Sequence, residues 1–299
     1  MISLIMLTYN REDLVGRAIE SVLAQTHTDY EFIIINNGSS DRSGEVAEGY
    51  AQKDARIRVQ HRQRGNIGSG RNAGLDMARG EWIGFIDDDD WCEPDYLAFL
   101  LALAQDNDAQ AAICGAADKA FDEQRVMTAE QALTELMWRK RYNVAFPAKL
   151  FAAKLFDGIR FSETAKYDDI ELMPRIMGSA NRVAYHGLPK YTFERHANNN
   201  SAWTTNHSLI NATILDEYLG VYRARTQWLC DRFPDSVTTW RYFEWSFMLS
   251  MVEKVVRLQL SDCEPQRERM ARELRENREA FLGCGHVLDF EKEWLQQYV

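Results

Sequence analysis

The chain has 299 residues and a formal charge of −10 at pH 7, with 45% hydrophobic and 27% charged residues. This composition is too apolar for a disordered chain, and it supplies a core for one large domain or a medium domain with an appendage. An acidic chain without a basic stripe does not suit nucleic-acid binding. The longest apolar run, residues 97–104, is far shorter than the ~20 residues of a membrane span.

The N-terminus lacks the basic start, apolar core and cleavage site of a signal peptide, so we expect none. The five cysteines are odd in number and widely spaced, and no two of them form a C-x-x-C pair. This spacing argues against a disulfide framework and against a zinc site. We therefore expect a soluble, globular, cytoplasmic protein with reduced thiols.

The first 115 residues alternate between short apolar runs and stretches with helical spacing. The apolar runs predict five strands, at residues 2–7, 31–35, 57–60, 82–86 and 111–114. The stretches between them predict helices near residues 14–23, 43–52, 72–78 and 94–103. This order predicts an α/β fold with a mostly parallel sheet flanked by helices. Ligands of such sheets bind beyond the carboxyl ends of the strands, so the loops at those ends are the candidate site.

The alternation loosens after residue 115, where we predict helices at 129–140 and 169–177 and strands at 182–185 and 190–194. From about residue 206 the sequence becomes helical, and one helix face carries a stripe of large apolar residues: Trp240, Phe243, Phe247, Met251, Val255 and Leu258. An exposed face of this size is unusual in a monomer, so we expect it to pack on the N-terminal domain or on a second copy of the chain. We predict an α/β domain of residues 1–205 and a C-terminal helical region of residues 206–299.

Four consecutive aspartates, residues 87–90, follow the fourth predicted strand. Neighbouring carboxylates repel one another, so such a run persists where a cation or water neutralises it. Hard oxygen ligands at the mouth of a parallel sheet suit Mg²⁺ or Mn²⁺. The alternative is a solvated acidic turn in which Asp90 caps the following helix.

A glycine-rich stretch, residues 68–73, fits the dinucleotide fingerprint G-x-G-x-x-A between a strand and a helix. It follows the third strand instead of the first, however, and without a metal the four aspartates would repel a pyrophosphate. We therefore interpret these glycines as allowing the backbone to approach a ligand or the sheet closely. An NAD-dependent oxidoreductase is kept as a remote alternative.

Four stretches in this order, residues 2–10, 36–41, 65–80 and 84–94, resemble the nucleotide-sugar domain of the family 2 inverting glycosyltransferases, which have the GT-A fold. A weaker match covers residues 161–201, and the helical tail is not covered. The resemblance implies a metal-dependent transferase of hexosyl type, active in polysaccharide biosynthesis, that moves a sugar from a UDP-sugar to a glycan or lipid-linked acceptor. It leaves open contact with the inner face of the membrane and a homodimer.

The resemblance also implies which residues bind the UDP-sugar donor. Tyr9 matches an aromatic residue that lies against the uracil, and Asn37 stands where the family has an aspartate that accepts a hydrogen bond from the uracil ring. An amide oxygen can still accept that bond, although without charge assistance. Since the matched position is acidic, we expect Asn37→Asp to keep or strengthen UDP binding. The matched donor-binding residues are Thr8, Tyr9, Asn10, Asn37, Arg71, Asp87 and Asp88.

The same resemblance assigns the metal ligand and the base. Asp89 matches the ligand of the divalent ion, and Asp169 matches the carboxylate that deprotonates the acceptor hydroxyl. Asp168 is the alternative base, but Asp168 and Glu171 have the spacing of a helix N-cap and its capping-box partner.

Two further residues, Arg195 and His196, match a late segment of the family and are weaker candidates for contact with the diphosphate or the metal. Asn36 and Asn37 both replace family aspartates. This replacement is consistent with the alternative function, that of a non-catalytic or hydrolytic relative that retains nucleotide binding.

Overall fold

The computed structural model describes residues 1–117, 120–165, 167–194 and 206–299, and Asp168 by its backbone alone. Arg195 and His196 therefore lie outside the described residues. The chain divides into two compact units, Met1–Glu194 and Arg195–Val299. Strands and helices alternate in the first unit, and the described part of the second is helical.

One mixed sheet forms the centre of the first unit. Its strands in the described residues are β1 (Ile2–Thr8), β2 (Tyr30–Asn36), β3 (Ile57–His61), β4 (Trp82–Asp87), β5 (Trp91–Cys92), β6 (Ala111–Ala116), β7 (Gln124–Met127), β8 (Lys149–Ala152) and β9 (Val183–Thr192). Their order is β3-β2-β1-β4-β8-β6-β9-β5, and β7 pairs with β9. The β3-β2-β1-β4 half is parallel, as are β6 and β9, whereas β5, β7 and β8 form antiparallel pairs. The prediction of a mostly parallel sheet is confirmed.

Helices flank this sheet because apolar residues recur at helical spacing between the strands. In α1 the buried side chains are Val15, Ala18, Ile19 and Val22, and all seven residues of β2 are buried. The helices of the unit are α1 (Val15–Leu23), α2 (Ser43–Ala51), α3 (Ile67–Met77), α4 (Tyr96–Asp106), α5 (Ala129–Trp138) and α6 (Asp168–Gly178).

The glycine-rich stretch lies in α3, which packs closely on β1. A Cβ atom added to Gly70 would lie 2.5 Å from the Leu7 side chain, and one added to Gly74 would lie 2.4 Å from Ile5. These glycines therefore allow the helix to approach the sheet, so the fingerprint is explained without a dinucleotide.

The two strands predicted at 182–185 and 190–194 form the single strand β9. Its register with β6 shifts around Gly115, where a Cβ atom would lie 2.2 Å from the carbonyl oxygen of Gly187. Pro189 lies in the same irregular part of the strand, where its missing N–H is tolerated. The glycines and the proline interrupted the sequence pattern, but the strand bulges there and continues.

The second unit contains α7 (Ala212–Arg232), α8 (Val237–Arg257), α9 (Glu264–Glu276), α10 (Arg278–Leu282) and α11 (Asp289–Tyr298). The apolar stripe lies on α8, where it packs against the other helices of its own unit. Trp240 contacts Phe233, and the ring of Phe247 stacks on Tyr222 with 3.9 Å between centroids. Helices α7 and α9–α11 thus contact the helix that carries the stripe within its own unit.

All five cysteines are buried and unpaired. Burial raises the pKa of Cys92 and of Cys114 to about 12. Among the described helices, none combines the length and the apolar character needed to cross a membrane.

Candidate functional site

The loops after β1, β2 and β4 meet at one edge of the sheet, because these parallel strands are neighbours. The Tyr9 backbone N–H donates to the Asp88 carboxylate over 3.1 Å. The Asn10 N–H donates to Ser39 Oγ, and the Asn10 side-chain oxygen accepts from the Ser40 N–H over 2.8 Å. Asn10 has a positive φ of 51°, a conformation that asparagine tolerates better than most residues. Three of the sequence motifs thus form one connected surface.

Thr8 and Asn37 belong to the walls of this surface. Thr8 is buried at the end of β1, and its carbonyl oxygen accepts from the Asn37 N–H over 2.9 Å. The Asn37 side chain is also buried: its amide group donates to the carbonyl oxygen of Gly65 over 2.9 Å, and its amide oxygen accepts from the Gly65 N–H over 3.3 Å. Asn37 therefore links β2 to the segment that precedes α3.

Asn36 has structural contacts as well. Its amide lies 2.9 Å from His61 Nδ1, and its oxygen accepts from the Ser39 N–H. His61 Nε2 lies 3.0 Å from the Glu48 carboxylate, so the imidazole bridges Glu48 and Asn36. The two asparagines that replace family aspartates thus hold their loop in place by neutral hydrogen bonds.

Arg64 lies beside the loops after β1 and β2, and no sequence motif predicts this position. Its guanidinium lies over the Tyr9 ring, 4.3 Å from the centroid. Gly38 has a φ of 83°, and a Cβ atom there would lie 2.5 Å from the Arg64 backbone nitrogen. This close approach brings Arg64 beside the aromatic ring that the resemblance assigns to the base.

Among the aspartates, Asp90 has a role in the fold. It accepts hydrogen bonds from the Tyr191 hydroxyl over 2.7 Å and from the Glu194 N–H over 2.8 Å, and it is almost fully buried. The Tyr191 hydroxyl in turn accepts from the Asp87 N–H. Burial raises the pKa of Asp90 to about 8. Asp90 does not cap α4, whose N-cap is Asp95, so it ties the loop to β9.

The other three aspartates are half-buried at the surface of the site. Burial raises the pKa of Asp88 to about 7 and that of Asp87 to about 6. The charge of Arg71 lowers the pKa of Asp87, and the charges of Asp89 and Asp169 raise it. These carboxylates crowd together, and Arg11 brings positive charge to Asp88, with 3.9 Å between Arg11 Nε and Asp88 Oδ1.

The backbone of Asp89 is held by an arginine from another element. Arg17 of α1 donates to the Asp89 carbonyl oxygen over 2.6 Å, forms an ion pair with Glu194, and lies 4.4 Å from the centre of the Trp91 ring. Arg17 was not identified from the sequence, in which it is one of several polar residues on an amphipathic helix. Its contacts fix the turn that presents Asp89.

Arg71 lies against three buried phenylalanines from separate parts of the chain. Its guanidinium carbon is 6.0 Å from the centroid of Phe85, 5.1 Å from that of Phe146 and 5.3 Å from that of Phe161. Phe85 and Asp87 are two residues apart on β4, so their side chains leave the strand on the same side. This arrangement places Arg71 beside the Asp87 carboxylate.

Asp169 lies in the first turn of α6, and its side-chain oxygen accepts from the Ile170 N–H. Burial raises the pKa of Asp169, while the charges of Arg71 and Arg139 oppose that rise. The N-cap of α6 is Tyr167, so the expectation that Asp168 caps this helix was wrong: the helix begins one residue earlier than the sequence pattern indicated. The charge of Arg71 thus acts on both Asp169 and Asp87.

The carboxylate oxygens of the loop after β4 suit a divalent ion that is held partly by the substrate. In the described residues, no group of three or more His, Cys, Asp or Glu side chains is arranged to hold a metal. Mg²⁺ and Mn²⁺ are commonly held by one or two carboxylates together with substrate phosphates. Asp89, in a loop of crowded carboxylate oxygens, fits that kind of site and does not form an all-protein cage.

Known proteins resemble this chain in sequence and in fold. The model of the family Glycosyl transferase family 2 matches residues 3–162, more than half of the chain. The uncharacterized glycosyltransferase EpsJ of Bacillus subtilis (strain 168) is 35% identical over 192 residues, which cover 56% of this chain and 55% of EpsJ. The chain therefore spans about half the length of that relative.

Two solved structures share the fold. Residues 1–349 of S. aureus TarS in complex with UDP-GlcNAc superpose with a TM-score of 0.63 at 15% identity, covering 99% of this chain and 91% of the other. The mannosyltransferase PcManGT from Pyrobaculum calidifontis, in complex with GDP-Man and Mn²⁺, gives a TM-score of 0.60 at 14% identity, covering 99% and 83%. The fold predicted from the resemblance is confirmed, and the chain belongs to glycosyl transferase family 2.

Proposed function

We propose that this chain is an inverting glycosyltransferase that moves a sugar from a UDP-sugar to a hydroxyl group of a glycan or lipid-linked acceptor, in the cytoplasm and in polysaccharide biosynthesis. The observation that carries the proposal is the position of Arg71, whose charge acts on both Asp87 and Asp169. A donor-side carboxylate and a carboxylate from the second half of the unit therefore meet around one cation.

The described contacts support a division of roles. Tyr9 lies against the base, and Asn10, Asn37 and Asp88 shape the pocket for the nucleoside. Asp89 would hold Mn²⁺ or Mg²⁺. When bound, the ion supplies positive charge that stabilises the leaving diphosphate. Arg71 supplies a fixed positive charge at the same place.

Asp169 is the base in this proposal. Its carboxylate takes the proton of the acceptor hydroxyl while the acceptor oxygen forms a bond to the anomeric carbon. The bond from that carbon to the diphosphate oxygen breaks, and UDP leaves with the electron pair. Burial raises the pKa of Asp169, which favours proton acceptance, and the charge of Arg71 opposes that rise.

The two structural neighbours were solved with different nucleotides, UDP-GlcNAc and GDP-Man, so they support a nucleotide-sugar donor without choosing the base. The uridine assignment rests on the resemblance of Tyr9 and Asn37. Titration with UDP, GDP and deoxythymidine diphosphate, with and without Mn²⁺, tests both the base and the metal. We expect UDP to bind best, and we expect both the native protein and a control variant to gain UDP affinity from Mn²⁺. Asp89→Ala should lose that gain, and the exposed acid Asp76 supplies the control variant Asp76→Ala.

The base assignment is tested by Asp169→Asn, which preserves size and removes the basic oxygen. We expect transfer to fall by roughly 10²–10⁴-fold while UDP-sugar affinity is retained. Asp168→Asn is the matched control and should transfer at nearly the native rate. Collapse in the Asp168 variant with near-native transfer in the Asp169 variant would reverse the assignment. A native protein that hydrolyses the donor without transfer, or only binds it, would support the hydrolytic or non-catalytic alternative.

A further inference from the structure

We propose that Asn66 and Asn72 are positioning residues for sugar transfer, because they fasten the segment that leads to Asp169 onto the helix that carries Arg71. This inference rests on the proposed function, in which Asp169 is the base. The segment is residues 161–165, which we call the base-support segment.

Asn72 forms a two-way link to the base-support segment. Its amide donates to the Phe161 carbonyl oxygen over 3.0 Å, and its oxygen accepts from the Phe161 N–H over 2.9 Å. The amide also lies 3.3 Å from the Glu163 carboxylate. Asn72 is 7% exposed, so these bonds form away from solvent, where an unmet polar group is costly.

Asn66 forms a second link, one turn and a half earlier on the same helix. Its amide donates to the carbonyl oxygens of Ser162 over 2.9 Å and of Ala165 over 3.3 Å. Its side-chain oxygen accepts from the Ser69 N–H over 2.8 Å, which makes Asn66 the N-cap of α3. One asparagine thus starts the helix with its oxygen and holds the base-support segment with its nitrogen.

The base-support segment adjoins two residues that the proposed mechanism uses, Arg71 and Asp169. Phe161 is one of the three phenylalanines against the Arg71 guanidinium, and it also packs on Phe85 and Phe146. The segment ends shortly before Asp169. Displacement of the segment would therefore move the base and disturb the packing of Arg71, while the loops after β1 and β2 would keep their own hydrogen bonds.

These contacts predict that loss of the asparagine amides changes kcat and donor affinity by different amounts. A misplacement of about 1 Å at a reacting group can lower a rate by about 10²-fold. Loss of the asparagine amides should therefore lower kcat more than donor binding. A merely structural role would instead lower stability and donor affinity together.

The test uses Asn66→Asp and Asn72→Asp in the full chain. In the first variant the carboxylate still caps α3, since Asp and Asn are equally good N-caps, but it cannot donate to the carbonyl oxygens. Asn211 caps α7 with its oxygen, so Asn211→Asp is the matched control in the other unit. The readouts are kcat and KM with a UDP-sugar, UDP affinity, and hydrogen exchange of residues 161–172.

We expect kcat to fall by about 10- to 100-fold in both variants, with UDP affinity within about threefold of the native value. Exchange of the base-support segment should accelerate in both variants and stay unchanged in the control. Native kcat, or a loss of UDP affinity equal to the loss of kcat, would overturn the inference. A native protein that binds UDP but turns over no UDP-sugar would reject the proposed function instead, and unchanged exchange in both variants would then reject the support role as well.

Discussion

At the scale of single residues, the contacts of Asn37 change the effect that we expect from an acid at this position. The family resemblance favours an acid at this position. The Asn37 amide, however, donates to the carbonyl oxygen of Gly65, and only the amide oxygen accepts. A carboxylate in this place would turn two acceptors toward each other in a buried position. The asparagine therefore suits the local backbone of this chain.

We accordingly expect Asn37→Asp to weaken UDP binding by about tenfold, which corresponds to about 1.4 kcal/mol. The physical reason is the lost bond to Gly65, which moves the segment carrying Arg64 away from Tyr9. Calorimetric titration with UDP in the presence of Mn²⁺ measures the effect. The exposed Asn181 provides the control variant Asn181→Asp. UDP affinity equal to or above the native value would show that the family's acid works here too.

The positions of Arg17 and Arg64 could not be predicted from the sequence. Each is one arginine among many polar residues, and neither lies in a motif that predicts chemistry. Their positions against Asp89 and Tyr9 come from tertiary packing between distant segments. The carboxylates, by contrast, could be found because a charged run after a buried strand is unusual in itself.

At the scale of elements, Glu31 joins the strands at the end opposite the site. Its carboxylate accepts from the Ser3 hydroxyl on β1 and from the Arg79 N–H, both over 2.6 Å, and from Arg58 on β3 over 2.8 Å. Burial raises the pKa of Glu31, but these hydrogen bonds outweigh it and the net pKa is lowered. One side chain thus links three neighbouring strands.

A lowered pKa means that the ionised carboxylate stabilises the fold above the ordinary pKa of 4.5, and that this contribution disappears as pH falls through the folded-state value. We expect Glu31→Gln to lower the free energy of unfolding by about 2 kcal/mol at pH 7. The gap to the native protein should shrink below pH 4.5. Urea unfolding at several pH values measures it, with the exposed Glu81→Gln as the control. A gap that is constant with pH would show that the charge is not responsible.

The strands that the sequence predicted well are those whose pattern is local. β1, β2 and β4 are apolar runs bounded by turn residues, and the helices between them show clear spacing. β8 was missed because it has four residues and begins with a buried lysine, Lys149, which donates to the Ala145 carbonyl oxygen. Its place between β4 and β6 depends on antiparallel partners far away in the chain, which no local pattern reports.

At the scale of the whole molecule, each unit has its own core. The helical unit buries side chains from each of the helices α7–α11, among them Leu215, Trp240, Met270, Phe281 and Leu295. The first of the two units ends at Glu194. Composition and periodicity could predict an α/β part followed by a helical part, but the partners of the α8 stripe depend on helices whose packing the sequence does not reveal.

The burial of every cysteine makes the molecule convenient for fluorescence work. A buried thiol with a raised pKa reacts slowly with maleimides, since the thiolate is the reactive form. We expect the native chain to remain unlabelled at neutral pH over a time in which Ser40→Cys takes up one dye. Ser40 is exposed and donates its N–H to the Asn10 side chain, so the dye would lie beside the loop after β1 and would test whether a nucleotide approaches it. Mass spectrometry counts the dyes, and rapid labelling of the native chain would show that its cores open on that time scale.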